Sequence, residues 1–190
     1  DLISRGADVA DYVTFYDPAT GNMASWDISM GAGTNGGTNT IQSSQGFFLR
    51  ATGADVTTTV SEDDKVPDTG GGFFGGTVTQ PGMVRLKIFS AMNSFSDETM
   101  VVFTEGAPET NGDDVPKYIF AHPNAPQLAS IGDDGQWLAI NAYGPYSNAI
   151  SIPLGVDVGV TGAYTVLVSG LAEQGLSCIR IEDLLTGAIT

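Results

Sequence analysis

The chain has 190 residues, enough to bury the core of one large all-β domain. Its 22 acidic residues against 7 basic ones give a net charge of −15, which repels nucleic-acid phosphate and anionic membranes and excludes both as expected partners. Charged residues are only 15% of the chain while glycines number 25, a balance that predicts short strands and many turns rather than helices.

In chain order, Asp11–Tyr16 alternates as a strand, with Val13 and Phe15 opposed to Tyr12, Thr14 and Tyr16. The DPATGN segment that follows suits a tight hairpin, Asp17 and Pro18 opening the turn and Gly21 closing it. The returning strand carries Ala24, Trp26 and Ile28 on one face. Met30–Thr40 is a Gly/Asn/Thr loop, and it lacks the Lys and the following helix of a phosphate-cradling loop. Gln45–Ala51 (QGFFLRA) has phenylalanines on both faces, which predicts a strand buried in the middle of a sheet. Val56–Val60 reads as a further, Thr-rich strand ending in SEDDK.

Gly70–Gly76 (GGGFFGG) reads as a mobile connection between two strand-rich halves. Phe73 and Phe74, adjacent aromatics poorly placed to join their own core, are candidates for contact with a neighbouring chain. The second half predicts strands at Met83–Ala91, Thr99–Thr104, Gln136–Tyr143, Ala149–Leu154, Ala163–Ser169 and Leu176–Asp183. Such spacing, with turn chemistry between, predicts an all-β, antiparallel β-sandwich or jelly-roll-like fold forming a single domain over residues 1–190.

Cys178 is the single cysteine, so no internal disulfide is possible, and it is expected to be a structural, half-buried thiol. No apolar run has transmembrane length, and insertion in a membrane is not expected. The chain begins at Asp1 without a methionine and ends at Thr190 in a turn, so it reads as a piece of a longer polypeptide.

Few residues carry chemistry. His122 is the one histidine, in the AHPNAP loop; without a second histidine, a cysteine pair or a G-x-S-x-G elbow it is expected to be a solvated loop residue. Carboxylates cluster at Glu62, Asp63 and Asp64, at Asp113 and Asp114, and at Asp133 and Asp134. Hard oxygen ligands in such turns suit calcium, so the last two pairs are its candidate ligands, although none matches an EF-hand loop. A glycosidase would need two acids held across a cleft, a separation that spacing along the chain does not give. Trp26 and Trp137 share strand faces with apolar residues and are expected in the core. Tyr143 and Tyr146 flank Gly144–Pro145 in a turn and are the expected exposed pair for stacking on a sugar.

The order of motifs carries one resemblance. VTFYDPATGNMASW (Val13–Trp26), IQSSQGFFLRA (Ile41–Ala51), VSEDDKV (Val60–Val66), RLKI (Arg85–Ile88) and DDVPKY (Asp113–Tyr118) come first. QWLAIN (Gln136–Asn141), ISIPLGV (Ile150–Val156), GAYTVLVSGL (Gly162–Leu171) and IEDLLTGAIT (Ile181–Thr190) follow. Together they resemble the β-sandwich domain that precedes the sorting domain in large proteins exported by the type IX secretion system of Bacteroidetes-type bacteria. GGGFFGG departs from that family, which usually carries a polar or basic stretch there. The resemblance implies a secreted or cell-surface domain without catalytic residues of its own. Its partners would be other domains of the same polypeptide, the type IX export machinery, and further copies or a surface glycan.

The reading is therefore a non-catalytic structural or adhesive module, with no cofactor unless calcium binds. A carbohydrate-binding module serving an enzyme elsewhere in the polypeptide is the alternative, and a glycan-directed hydrolase a third.

Overall fold

The computed structural model describes residues 8–67, 82–105, 107, 114–119, 121–145, 149–172, 175 and 179–190. Four strands, β1 (Val9–Asp17), β2 (Asn22–Asp27), β3 (Ala32–Thr34) and β4 (Phe48–Ala51), form an antiparallel sheet in the order β3-β2-β1-β4. The larger sheet contains β5 (Met83–Ser90), β6 (Ser96–Phe103), β7 (Val115–Pro116), β8 (Gln127–Ile131), β9 (Trp137–Tyr143), β10 (Leu154–Asp157) and β11 (Tyr164–Ser169). Its order is β10-β8-β9-β6-β5-β11, with β7 also paired to β9. The fold is all-β and sandwich-like, as the spacing of apolar runs and turns predicts. One pair is parallel: β6 and β9, with Met100 opposite Ile140, so the larger sheet is mixed.

The β1–β2 hairpin forms for the reasons its residues supply. The Asp17 carboxylate accepts the Ala19 amide at 2.8 Å, and the Asp17 carbonyl accepts that of Gly21 at 2.9 Å. Gly21 has φ +72°, and a Cβ there would stand 2.6 Å from the Phe95 ring. That ring lies 4.4 Å from the imidazole of His122, whose amide donates to the Gly21 carbonyl at 2.8 Å. His122 is thus a half-buried packing piece between the hairpin and the larger sheet rather than a solvated loop residue. Glycine lets the aromatic reach the turn.

Alternation then sorts the core. Tyr12 and Ala32 meet Met83, Met100, Val102, Val115 and Ile140 between the sheets. Val13, Phe15, Ala24 and Trp26 pack on the other side of β1 and β2, against Ile41 and Leu49. Val84, Leu86, Ile88 and Leu128 form a third cluster with Leu154 and Val168.

Burial pushes the Tyr12 hydroxyl well above the ordinary tyrosine range, helped by the Tyr118 hydroxyl 3.4 Å away and opposed by Arg50. The folded chain therefore holds that proton more tightly than the unfolded chain does. Its contribution to stability is complete below pH ~10, the unfolded value, and is lost as pH rises towards the folded one. Urea midpoints should hold level up to about pH 10 and fall as pH rises beyond it, and Tyr12→Phe should flatten that slope; an unchanged slope would remove Tyr12 as its cause.

Several segments differ from expectation. Gln45–Ala51 is no central strand: β4 covers only its last four residues and is the outer strand of its sheet, leaving Phe47 39% and Phe48 54% exposed. Apolar side chains on both faces mark an interior strand only if a neighbour lies on each side, and β4 has β1 alone among the described residues. Val56–Val60 forms no strand, because β-branched residues have no intrinsic sheet without a partner edge. Ala149–Leu154 is mostly irregular, with β10 starting at Leu154. The described part of Leu176–Asp183 makes only a single bridge, Glu182 to Ile189. The glycine loop instead contains β3, and β8 was not foreseen.

Candidate functional site

The exposed phenylalanines end in a groove. Tyr16 emerges at the end of β1, Pro18 opens the hairpin turn, and Phe47 and Phe48 lead into β4 beside them. Together they line a shallow cavity of about 760 Å³. A turn sets the phenylalanines in place: the Gln45 amide donates to the Gln42 carbonyl at 3.1 Å, and Ser44 takes φ +69°. Tyr16 is 42% exposed. Asp17 borders the groove but is buried, its carboxylate already accepting the Ala19 amide, so it is held as a turn former. Such a surface can bind a flat apolar or aromatic face, and it sits at the edge of β4 that has no partner strand among the described residues.

A second constellation lies in the interior. Asp97 is fully buried, and its Oδ1 accepts from Lys117 Nζ at 2.6 Å and from Asn35 Nδ2 at 2.7 Å. Its Oδ2 accepts the Leu128 amide at 2.7 Å. Lys117 also donates to the Glu98 carbonyl at 2.9 Å, and Asn35 to that of Met23 at 2.9 Å. Burial pushes the Asp97 carboxyl up, while the Lys117 charge and these hydrogen bonds pull it back. Close by, Asn22 donates to the carbonyls of Ser96 and Pro126, both at 2.9 Å, and accepts from Gln127. Arg85 pairs with Glu98 and donates to the Gly33 carbonyl at 2.9 Å. These groups tie β2 and β3 of the small sheet to β5, β6, β7 and β8 of the large one.

The residues expected to bind or coordinate are dispersed differently. Phe73, Phe74, Asp113, Tyr146 and Cys178 lie outside the described residues. Tyr143 is half-buried rather than exposed, its ring 6.2 Å from that of Phe103. Burial raises its hydroxyl, a hydrogen bond with Asn141 opposes the rise, and the charges of Asp133 and Asp114 add to it. Asp114 accepts the Ala142 amide at 2.8 Å and so braces β9. Asp133 and Asp134 sit on an outer turn, where Asp134 accepts the Gln136 amide at 2.9 Å. Among the described residues no three or more His, Cys, Asp and Glu side chains gather as a cation would require. Glu62, Asp63 and Asp64 form an exposed 3-10 turn. Trp26 is in the core as expected, whereas Trp137 is part-exposed against Gly155, where a Cβ would meet the indole at 2.7 Å.

Sequence reasoning missed both constellations. Tyr16 and Phe48 belong to different strands, and only the β1–β4 register, with Thr14 opposite Phe48, brings them together. Asp97 precedes Glu98 in SDETMVVF and looks solvated. The one sequence signal was Lys117 itself, a scarce cation directly after a short apolar strand. No protein-family model, curated protein or solved structure matches the chain.

Proposed function

We propose that the chain is a non-catalytic structural and adhesive module of an exported bacterial surface protein, and that the groove of Tyr16, Pro18, Phe47 and Phe48 is its contact face. The observation that carries this reading is the exposure of three neighbouring aromatics at a sheet edge that has no partner strand among the described residues. An outer strand offers a row of backbone donors and acceptors to an incoming strand, and the aromatics offer it apolar area. The order of sequence motifs supports export through the type IX pathway. The incoming strand belongs to another domain of the parent polypeptide or to a second copy. With a charge of −15, copies repel one another at low salt, so assembly should strengthen as ionic strength rises.

Sedimentation velocity across protein concentration and salt, with Phe47→Ser/Phe48→Ser as the comparison, tests this. The expected result is a salt-promoted larger species that the double variant loses while its circular dichroism is unchanged. Assembly identical in both proteins would remove the groove as the contact. Glycan-array binding that disappears with Phe48→Ser would move the reading to a carbohydrate-binding module, with the groove in place of Tyr143 and Tyr146.

A further inference from the structure

We propose that Lys117 and Asn35 are the two ends of an intramolecular isopeptide bond whose formation Asp97 promotes, joining the segment after β3 to the end of β7. The geometry is that of a proton shuttle. One oxygen, Asp97 Oδ1, accepts a hydrogen bond from the attacking nitrogen, Lys117 Nζ, at 2.6 Å and from the leaving nitrogen, Asn35 Nδ2, at 2.7 Å. All three groups are buried and held by further bonds: Lys117 to the Glu98 carbonyl, Asn35 to the Met23 carbonyl, Asp97 to the Leu128 amide. A buried ion pair lies close in energy to its neutral form, because both charges have lost their water. The tendency of the Asp97 carboxyl to keep a proton works in the same direction.

The steps balance without an oxidant or a co-reactant. Lys117 passes one proton to Asp97, and the resulting neutral amine attacks Cγ of Asn35. A bond forms between Nζ and Cγ, and the bond between Cγ and Nδ2 breaks. Asp97 gives its proton to the departing Nδ2 and takes the second proton from Nζ, so that ammonia leaves and a secondary amide remains. Holding nucleophile and acyl group beside one proton carrier in a dry interior is what turns a slow bimolecular aminolysis into an intramolecular one. For a module that must hold, the product is a covalent tie between its two sheets.

The test is the intact mass of the purified full chain under denaturing conditions, followed by peptide mapping. The expected mass is lower than the sequence mass by one ammonia, with the Asn35 and Lys117 peptides joined and trypsin failing to cut after Lys117. Asn35 precedes Gly36, and a succinimide at that pair would also release ammonia. Lys117→Arg separates the two: the loss must vanish in this variant. Asp97→Asn, which keeps the side-chain shape, should yield the full mass with a folded circular dichroism spectrum, as should Asn35→Ala. Three results would overturn the proposal. They are a wild-type chain of full sequence mass after prolonged incubation at neutral pH, an ammonia loss that persists in Lys117→Arg, and a loss of water that maps to an amide between Lys117 and Asp97.

Discussion

Before any cross-link forms, Lys117→Met is expected to cost the fold about 3–5 kcal/mol, because removing one partner of a buried ion pair leaves the other charge without compensation. Asp97 would keep its bonds from Asn35 and the Leu128 amide, but neither carries a charge to offset the carboxylate. Shape is not the issue, since methionine fills most of the space of the lysine stem. The double variant Lys117→Met/Asp97→Leu should recover part of the loss, as no charge then remains to be buried. Urea unfolding of the two variants and the parent chain measures this directly. A single-variant loss under about 1 kcal/mol, the range of an exposed pair, would show that water reaches Asp97.

The second large effect comes from phenylalanine placement. Phe15→Ala should destabilise by about 3–5 kcal/mol, since Phe15 is 1% exposed among Val13, Ala24 and Trp26 and its removal opens a cavity. Phe48→Ala should change stability by no more than about 0.5 kcal/mol, because its ring is already half in water. The same chemical deletion thus separates a packing residue from a contact residue. If the two substitutions cost equally, Phe48 must be covered in solution, either by another copy or by chain lying outside the described residues.

The alternating runs at Asp11–Tyr16 and Met83–Ala91, and the DPATGN turn, were legible because each depends on neighbours within a few residues. Hairpin chemistry and period-2 burial are local properties, and they suffice for the all-β class. The same reasoning failed for Gln45–Ala51. Its two-faced apolarity is real, but whether a strand is central or outermost depends on what pairs with it, and β4 has a single neighbour among the described residues. Val56–Val60 failed similarly, its β-branched residues finding no ladder. Asp97 was illegible for a different reason. Nothing in SDETMVVF separates its solvation from that of Glu98 until Asn35, Lys117 and the Leu128 amide converge on it.

Composition and spacing by themselves determined that this chain forms short strands and turns and that it carries a strong negative charge. Tertiary structure alone decided which strand ends its sheet among the described residues, which aromatics meet there, and where a lysine and an asparagine converge on one aspartate oxygen. The division follows from range. Backbone propensity and alternation act between near neighbours, whereas pairing edges and buried charges depend on groups 62 positions apart, as Asn35 and Asp97 are.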